Sequence, residues 1–200
     1  MAKLESSFKN MLISLAGVTL IASATLGLVN DATIKPIAKA EQEKQTKAIA
    51  AVLPEFDHLA NPMKVLPADG KDSIIIFQGL NAENEVIGSA VKSYTYKGFS
   101  GYIEVMVGLD KSGIVSGYQV LKHAETPGLG AKMGIWFNNV DKPAQNVIGR
   151  SLVNGTLSVS KDGGSVDAIT AATISSRAFL DAVNRAYTVV NNSGDSAQKE

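Results

Sequence analysis

A cluster of acidic and hydroxyl side chains stands directly before the last amphipathic stretch of the sequence. Its members lie within ten residues of one another: Asp167, Thr170, Thr173, Ser175 and Ser176. Apolar residues at helical spacing follow, so a helix is predicted to begin inside the cluster. A single hydroxyl is enough to cap a helix by accepting a hydrogen bond from an N–H group of the first turn. Capping alone therefore does not explain the whole cluster.

The start of a helix offers a second use for such residues. Its first N–H groups have no partner in the helix, and they form the positive end of the helix dipole, which suits a phosphate. Ala171 and Ala172 leave room beside Thr173, whose hydroxyl is a possible point of esterification by a phosphate-bearing cofactor. The cluster thus permits two interpretations, a capped helix and a phosphate site.

A second stretch, "HAETPGLGAKMGIWF" at residues 123–137, combines turn residues with polar and aromatic ones. Pro127 and Gly128 fit the central positions of a type II turn. That turn does not explain why Glu125, Thr126 and the single Trp136 are concentrated in the same stretch. A glycine-rich loop with exposed amides beside a hydroxyl can hold a flat polar ring, although such a loop taken alone is more often structural.

The composition excludes several kinds of chemistry. The chain has no cysteine, which excludes disulfides, thiolate-held iron–sulfur clusters and a catalytic thiol. With two histidines, His58 and His123, a histidine-rich metal site is not expected. The 19 basic and 19 acidic residues are dispersed, so a nucleic-acid partner is not expected either. Any redox activity would need an organic cofactor. An exported hydrolase is also an interpretation of this sequence. It is a weak one, because no combination of Ser, His and Asp can be named as a catalytic triad.

The amino-terminal part contains an uncharged stretch at residues 10–30. About twenty helical residues span roughly 30 Å, the thickness of the hydrocarbon core of a bilayer. The apolar run continues past the small residues at 22–24, which favours an uncleaved anchor over a cleaved signal peptide. Lysines on both sides of the stretch leave its orientation undecided.

The remaining pattern predicts an α+β domain with a mostly antiparallel sheet and flanking helices. A juxtamembrane helix is expected to stop near Pro54, and residues 58–72 read as a Pro- and Gly-rich connection. Alternating apolar residues predict strands at 73–78, 86–96, 102–109 and 114–122. Asn154-Gly155 between apolar residues predicts a hairpin, and the final helix is expected to end at 191–194. The predicted segments are a tail (1–9), an anchor (10–30), a juxtamembrane helix and linker (31–70), a globular domain (71–194) and a tail (195–200).

Three sequence elements resemble a known family. Residues 167–173, "DAITAAT", are similar to the D-x-x-[S/T]-G-A-T flavinylation motif of FMN-binding domains, with Ala171 in place of glycine. "HAETPGLG" at 123–130 resembles an upstream element of the same domain, and "GFSG" at 98–101 resembles its G-[Y/F]-x-G element. With the anchor, the chain resembles the G subunits of the Rnf ion-translocating electron-transport complexes. The C subunit of the sodium-translocating NADH:quinone reductase is the related alternative.

The resemblance implies a cofactor and a set of site residues. FMN would be bound covalently, through a phosphoester to Thr173. If position 171 of the motif requires a positive φ, Ala171 would cost about 1 kcal/mol or more. A separate flavin transferase, using FAD and a metal ion, would recognise Asp167, Thr170 and Thr173, and no metal site is expected in the chain itself. The cofactor-binding residues would be Glu125, Thr126, Gly128, Leu129, Gly130, Thr170, Ala171, Ala172, Ser175 and Ser176.

The resemblance also implies a place in the cell. The chain would be a single-pass protein of the bacterial inner membrane, with its carboxyl-terminal domain on the periplasmic side. Its partners would be the lipid bilayer and the other membrane subunits of a ferredoxin- and NAD-linked ion-translocating oxidoreductase. It would relay electrons without turnover of its own. A membrane-anchored binding or assembly domain without flavin is the alternative, and the substitution by Ala171 is the feature that favours it.

Overall fold

The computed structural model describes residues 7–67 and 70–197, and the chain divides into two compact units, residues 1–44 and 45–200. The described part of the first unit belongs to helix α1 (Phe8–Val52). This helix contains the uncharged stretch and reaches a mean hydropathy of 2.1, so by length and composition it can cross a membrane. The expected tails lie partly outside the described residues.

The second unit is built on an antiparallel sheet. Its strands in the described residues are β1 (His58–Leu59), β2 (Met63–Val65), β3 (Ile74–Leu80), β4 (Val86–Gly98), β5 (Gly101–Asp110) and β6 (Val115–His123). They are ordered β1-β3-β4-β5-β6, β2 also pairs with β3, and every pairing is antiparallel. The predicted fold class is confirmed, and the four long strands lie within two residues of their predicted bounds.

Short helical segments follow the sheet, and a long helix closes the fold. They are a 3-10 turn (Gly130–Lys132), α2 (Met133–Trp136), a second 3-10 turn (Ser160–Asp162) and α3 (Thr173–Ala197). Helix α3 packs on β4 and β5, and its buried face includes Phe179, Val183 and Ala186, as the helical spacing predicted. The buried Ser93 hydroxyl donates to the Ala182 carbonyl at 2.7 Å and joins helix to sheet.

The carboxyl-terminal end of α1 covers the other face of the sheet. Val52 and Leu53 belong to a small apolar cluster with Ala90 and Met106, whose strand neighbours point into the core under α3. The Ser116 hydroxyl donates to the Val52 carbonyl at 2.6 Å. This end of α1 is therefore part of the globular unit.

The connection at 58–72 differs from the prediction, because β1 and β2 lie in it. Both are short, and both pair with β3, so they complete one edge of the sheet. Pro62 and Pro67 flank β2 and keep it short, since proline cannot donate to a strand ladder.

The hairpin predicted around Asn154-Gly155 is wrong. Gly155 does close a turn by donating to the Leu152 carbonyl at 3.4 Å, but the two flanks do not pair. Instead, the side chain of Asn184 on α3 bonds both backbone groups of Leu157, accepting from its N–H at 2.8 Å and donating to its carbonyl at 2.9 Å. A contact with the helix thus replaces the strand pairing.

The predicted end of the last helix is also wrong, because α3 continues to Ala197. The Ser193 hydroxyl donates to the Val189 carbonyl at 2.7 Å, a side-chain bond within the helix that leaves the backbone helical. Gly194 lies inside the helix, so it does not form the left-handed stop that often ends a helix.

Replacing Gly108 with alanine tests the packing of α1 on the sheet. A Cβ atom at this position would lie 2.0 Å from the Val52 carbonyl oxygen, so the helix end must move away. We expect a loss of about 1–3 kcal/mol in the free energy of unfolding, measured by urea denaturation of the full chain in detergent. Gly134→Ala is the matched control, because a Cβ there meets nothing within 4 Å. Equal stability of the two variants would contradict the close approach.

Candidate functional site

A cavity of about 320 Å³ lies where three parts of the fold meet. These are the β4–β5 hairpin, the loop after β6 and the start of α3. Its lining contains most of the residues that were predicted from the sequence to bind a cofactor, together with two others, Phe99 and Ile174. The lining residues are Phe99, Glu125, Thr126, Leu129, Gly130, Ala171, Ala172, Thr173, Ile174 and Ser175.

The loop after β6 forms the predicted turn. The Leu129 N–H donates to the Thr126 carbonyl at 3.2 Å, and Gly128 has a φ of 78° at the position where a type II turn requires a positive value. Ala131 donates to the same carbonyl at 3.2 Å. The turn therefore leads directly into the 3-10 segment and places Leu129 and Gly130 at the cavity wall, while Gly128 itself is outside the lining.

Glu125 connects the three parts of the site. Its side chain is buried, with the residue only 4% exposed, and Oε1 accepts a hydrogen bond from the Ser100 N–H at 2.9 Å. Oε2 accepts from the hydroxyl of Ser175, which is also buried. A Cβ atom on Gly130 would lie 2.6 Å from this carboxylate, so glycine is required for the approach of the loop. Glu125 is thus a buried charge with donors from two other elements.

The hydroxyls at the start of α3 have different partners. Ser176 is fully buried and outside the cavity, where its Oγ accepts from the Ile169 N–H and donates to the Ala172 carbonyl, both at 2.9 Å. Ser175 donates to Glu125. Thr173 is half-buried at the cavity wall. The capping interpretation is therefore wrong for these three side chains.

The first turn of α3 retains free N–H groups. Ser176 is the first residue of the turn whose N–H is bonded, to the Ala172 carbonyl at 3.0 Å. Within the described residues, the N–H groups of residues 173–175 have no acceptor. Because these donors lie at the positive end of the helix dipole and beside the cavity, they are available to an anion.

The turn before α3 contains an alanine with left-handed backbone. The Ala172 N–H donates to the Ile169 carbonyl at 2.9 Å, and Ala171 has a φ of 60°. This is the third position of the turn, where glycine or asparagine is preferred. The structure thus confirms that position 171 needs a positive φ, and alanine there costs about 1–2 kcal/mol.

Helix α2 positions the segment that contains Asp167. The Trp136 indole donates to the Asp167 carbonyl at 2.9 Å, and the Asp167 N–H donates to the Ala144 carbonyl at 2.7 Å. The Tyr118 hydroxyl bonds the first residue of α2, because it donates to the Met133 carbonyl at 2.7 Å. Burial raises the pKa of Tyr118, so the hydroxyl keeps the proton that it donates. Asp167 and Thr170 are exposed and lie outside the cavity lining.

Besides Phe99 and Ile174, a lysine near the cavity was not predicted as a site residue. The Lys161 ammonium group, in the second 3-10 turn, lies 3.5 Å from the Thr173 hydroxyl. The neighbouring Asp162 accepts two hydrogen bonds from Arg177, both at 2.7 Å, and these bonds hold the pKa of Asp162 below its ordinary value. Lys161 could not be found from sequence, because only the fold brings it to Thr173. Phe99, by contrast, belongs to the "GFSG" element.

Comparison with known proteins places this site in a family. Residues 98–188 match the family model described as "FMN-binding domain". That range includes the turn of the β4–β5 hairpin, the loop after β6 and the start of α3. The globular unit therefore contains an FMN-binding domain.

Several relatives are similar over most of their length. The G subunit of an ion-translocating oxidoreductase complex from Shewanella amazonensis is 33% identical, covering 94% of this chain and 89% of that protein. The protein of the same description from Vibrio vulnificus is 34% identical, covering 88% of each. The G subunit of the Na(+)-translocating ferredoxin:NAD(+) oxidoreductase complex from Acetobacterium woodii is 30% identical, covering 88% of this chain and 87% of that protein. The chain belongs to the family of G subunits of the ion-translocating oxidoreductase complexes.

Replacing Ala171 with glycine should stabilise the protein. Glycine removes the left-handed strain, which is worth about 1–2 kcal/mol. It also makes the unfolded chain more flexible, which lowers stability by about 0.4–1 kcal/mol. We expect a net gain of about 0.5–1 kcal/mol in the free energy of unfolding, measured by urea denaturation. Ala172→Gly is the matched control and should destabilise, because Ala172 is buried and has no positive φ. A loss of stability in Ala171→Gly would contradict the strain.

The bond between Ser175 and Glu125 can be measured by a double-mutant cycle. Ser175→Ala leaves one oxygen of a buried carboxylate without its hydroxyl donor, and we expect a loss of about 1–3 kcal/mol. In a Glu125→Gln background the same substitution should cost less, because a neutral amide is cheaper to leave unpaired. The measurement is the free energy of unfolding of the four proteins. Additive losses would show that the two side chains are not coupled.

Proposed function

We propose that this chain relays electrons within a membrane-bound ion-translocating oxidoreductase, through FMN held by a phosphoester to Thr173. The observation that carries the proposal is the position of the Thr173 hydroxyl, which lies at the wall of the cavity and on the first turn of α3 with its free N–H groups. Membership in the G-subunit family and the FMN-binding domain support it.

The residues present fit a flavin phosphate. The free N–H groups of the first helical turn suit the phosphate, since they offer donors at the positive end of a helix dipole. Phe99, Leu129 and Ile174 are 69%, 39% and 48% exposed, so they provide apolar surface for a flat ring. Gly130 lets this wall of the cavity form, because a side chain there would collide with Glu125 and Ser175.

The protein's part in attachment is that of an acceptor. The Thr173 oxygen forms a bond to the phosphorus that carries riboflavin in FAD, the bond of that phosphorus to the bridging oxygen breaks, and AMP leaves with that oxygen. The hydroxyl proton passes to a base of the flavin transferase, which also provides the metal ion. Asp167 and Thr170 are exposed beside Thr173, where the transferase can contact them.

Once attached, FMN supplies the reversible electron transfer that the side chains of a cysteine-free chain lack. The chain's own residues bind and orient it. The covalent bond prevents loss of the cofactor, which matters for a domain outside the cytoplasm.

We further propose that α1 anchors the chain in the bacterial inner membrane through residues 10–30. The residues of α1 after this single span would connect it to the globular unit, whose FMN-binding domain would lie on the periplasmic side. The apolar, uncharged composition of the span supports the anchor. The other membrane subunits of the complex and the lipid bilayer are then the partners of the chain.

The test is an intact mass of the full chain purified from membranes of its own host, followed by peptide mapping. We expect an increase equal to FMN less one water, located on Thr173 and absent in Thr173→Val. Thr188→Val, another threonine of α3 that is exposed, is the matched control and should keep the full increase. An unmodified wild-type chain, in a host with an active flavin transferase, would instead favour an anchored assembly domain.

A further inference from the structure

Lys161 lies beside the proposed attachment site without a strong partner there. Its ammonium nitrogen is 3.5 Å from the Thr173 hydroxyl oxygen, at the long limit of a hydrogen bond. A contact of this length to a neutral hydroxyl contributes little to stability, and the side chain is exposed. The contact with the unmodified threonine thus does little to hold the ammonium group in place.

The fold nevertheless holds the backbone of Lys161 in place. The 3-10 turn Ser160–Asp162 is closed by the Asp162 N–H, which donates to the Val159 carbonyl at 2.8 Å. The Ser160 N–H donates to the Val166 carbonyl at 2.8 Å, which joins the turn to the chain before α3. Lys161 therefore belongs to a well-bonded turn, and its approach to Thr173 is a consequence of how that turn is attached.

A salt bridge fixes this turn to the helix that contains Thr173. Arg177 follows Thr173 by four residues, so the two side chains lie on the same face of α3. Nε and Nη2 of Arg177 each donate to one carboxylate oxygen of Asp162 at 2.7 Å, a bidentate arrangement that restricts orientation as well as distance. The salt bridge therefore attaches the turn that contains Lys161 to the helix that contains Thr173.

We propose that Lys161 is a positioning residue that pairs with the phosphodiester formed at Thr173. This inference rests on the proposed attachment. The esterified atom is the Thr173 oxygen itself, so the charged oxygens of the phosphodiester come within reach of an ammonium group 3.5 Å from it. The phosphodiester retains one negative charge, and a charge-assisted bond to Lys161 replaces the weak contact to the hydroxyl. Lys161 and the free N–H groups of the first turn together hold the phosphate from two directions.

The test compares the effect of Lys161 on the modified and the unmodified protein. Lys161→Gln is made in the full chain and in Thr173→Val, and the midpoint of thermal unfolding is measured in detergent, with flavin occupancy determined by intact mass. We expect the substitution to lower the midpoint of the flavin-bearing protein by roughly 2–4 °C. It should leave the midpoint of the Thr173→Val protein unchanged. The difference should shrink at about 1 M salt, where screening acts over roughly 3 Å.

Matched variants separate charge from other effects. Lys161→Arg keeps the charge and should keep the midpoint, whereas Lys111→Gln removes an equal charge from the exposed β5–β6 turn and should leave the midpoint unchanged. Asp162→Asn weakens the salt bridge with Arg177 and should lower the midpoint more in the flavin-bearing protein than in Thr173→Val.

The outcomes distinguish this inference from the proposed function. Equal shifts of Lys161→Gln in both backgrounds would overturn the pairing and leave the flavin attachment intact. Absence of flavin from the wild-type chain would overturn both.

Discussion

The burial of the Glu125 carboxylate is the interaction on which the candidate site depends. Removing an ionised carboxylate from water costs several kcal/mol unless hydrogen bonds compensate. Here the compensating donors are the Ser100 N–H from the β4–β5 hairpin and the Ser175 hydroxyl from α3. Neither segment is near Glu125 in sequence. The carboxylate is therefore stable only when hairpin, loop and helix have assembled, and that assembly forms the cavity.

The same interaction explains the cluster of hydroxyl residues at the start of α3. Ser175 is used to satisfy Glu125, and Ser176 is used to hold the turn at Ile169 against the first helical turn. Thr173 is left half-buried at the cavity wall, next to N–H groups that its neighbours do not satisfy. The three hydroxyl residues of the first helical turn thus divide into two structural side chains and one chemically available residue, Thr173.

Local patterns predicted much of this structure. Alternation of apolar residues located the long strands, and Pro127-Gly128 predicted a type II turn that the bond between Leu129 and Thr126 confirms. These features depend on residues close in sequence. Glu125, Thr126, Leu129 and Gly130 line one cavity together with residues 171–175, and the binding of a cofactor by these residues stays a prediction. Two features that the sequence did not reveal have a common physical cause, because each involves a contact between distant segments. Asn154-Gly155 has the composition of a hairpin turn, but Asn184 on α3 satisfies the backbone of Leu157 and prevents strand pairing there. Lys161 reaches Thr173 on another segment of the fold, next to the bond between Arg177 and Asp162, and no local pattern contains that information.

The strain at Ala171 can be weighed against these contacts. A left-handed alanine costs about 1–2 kcal/mol of folding free energy. Alanine also restricts the unfolded chain more than glycine does, which offsets about 0.4–1 kcal/mol of that cost. The net cost, about 1 kcal/mol, is no larger than one hydrogen bond to a buried carboxylate. The turn is held on both sides, by the Ala172 N–H on the Ile169 carbonyl and by Ser176 on the Ile169 N–H. Because this network maintains the positive φ, alanine preserves the backbone shape that glycine would adopt more easily. Ala171 therefore lowers stability slightly without moving Thr173, and it does not argue against attachment at that residue.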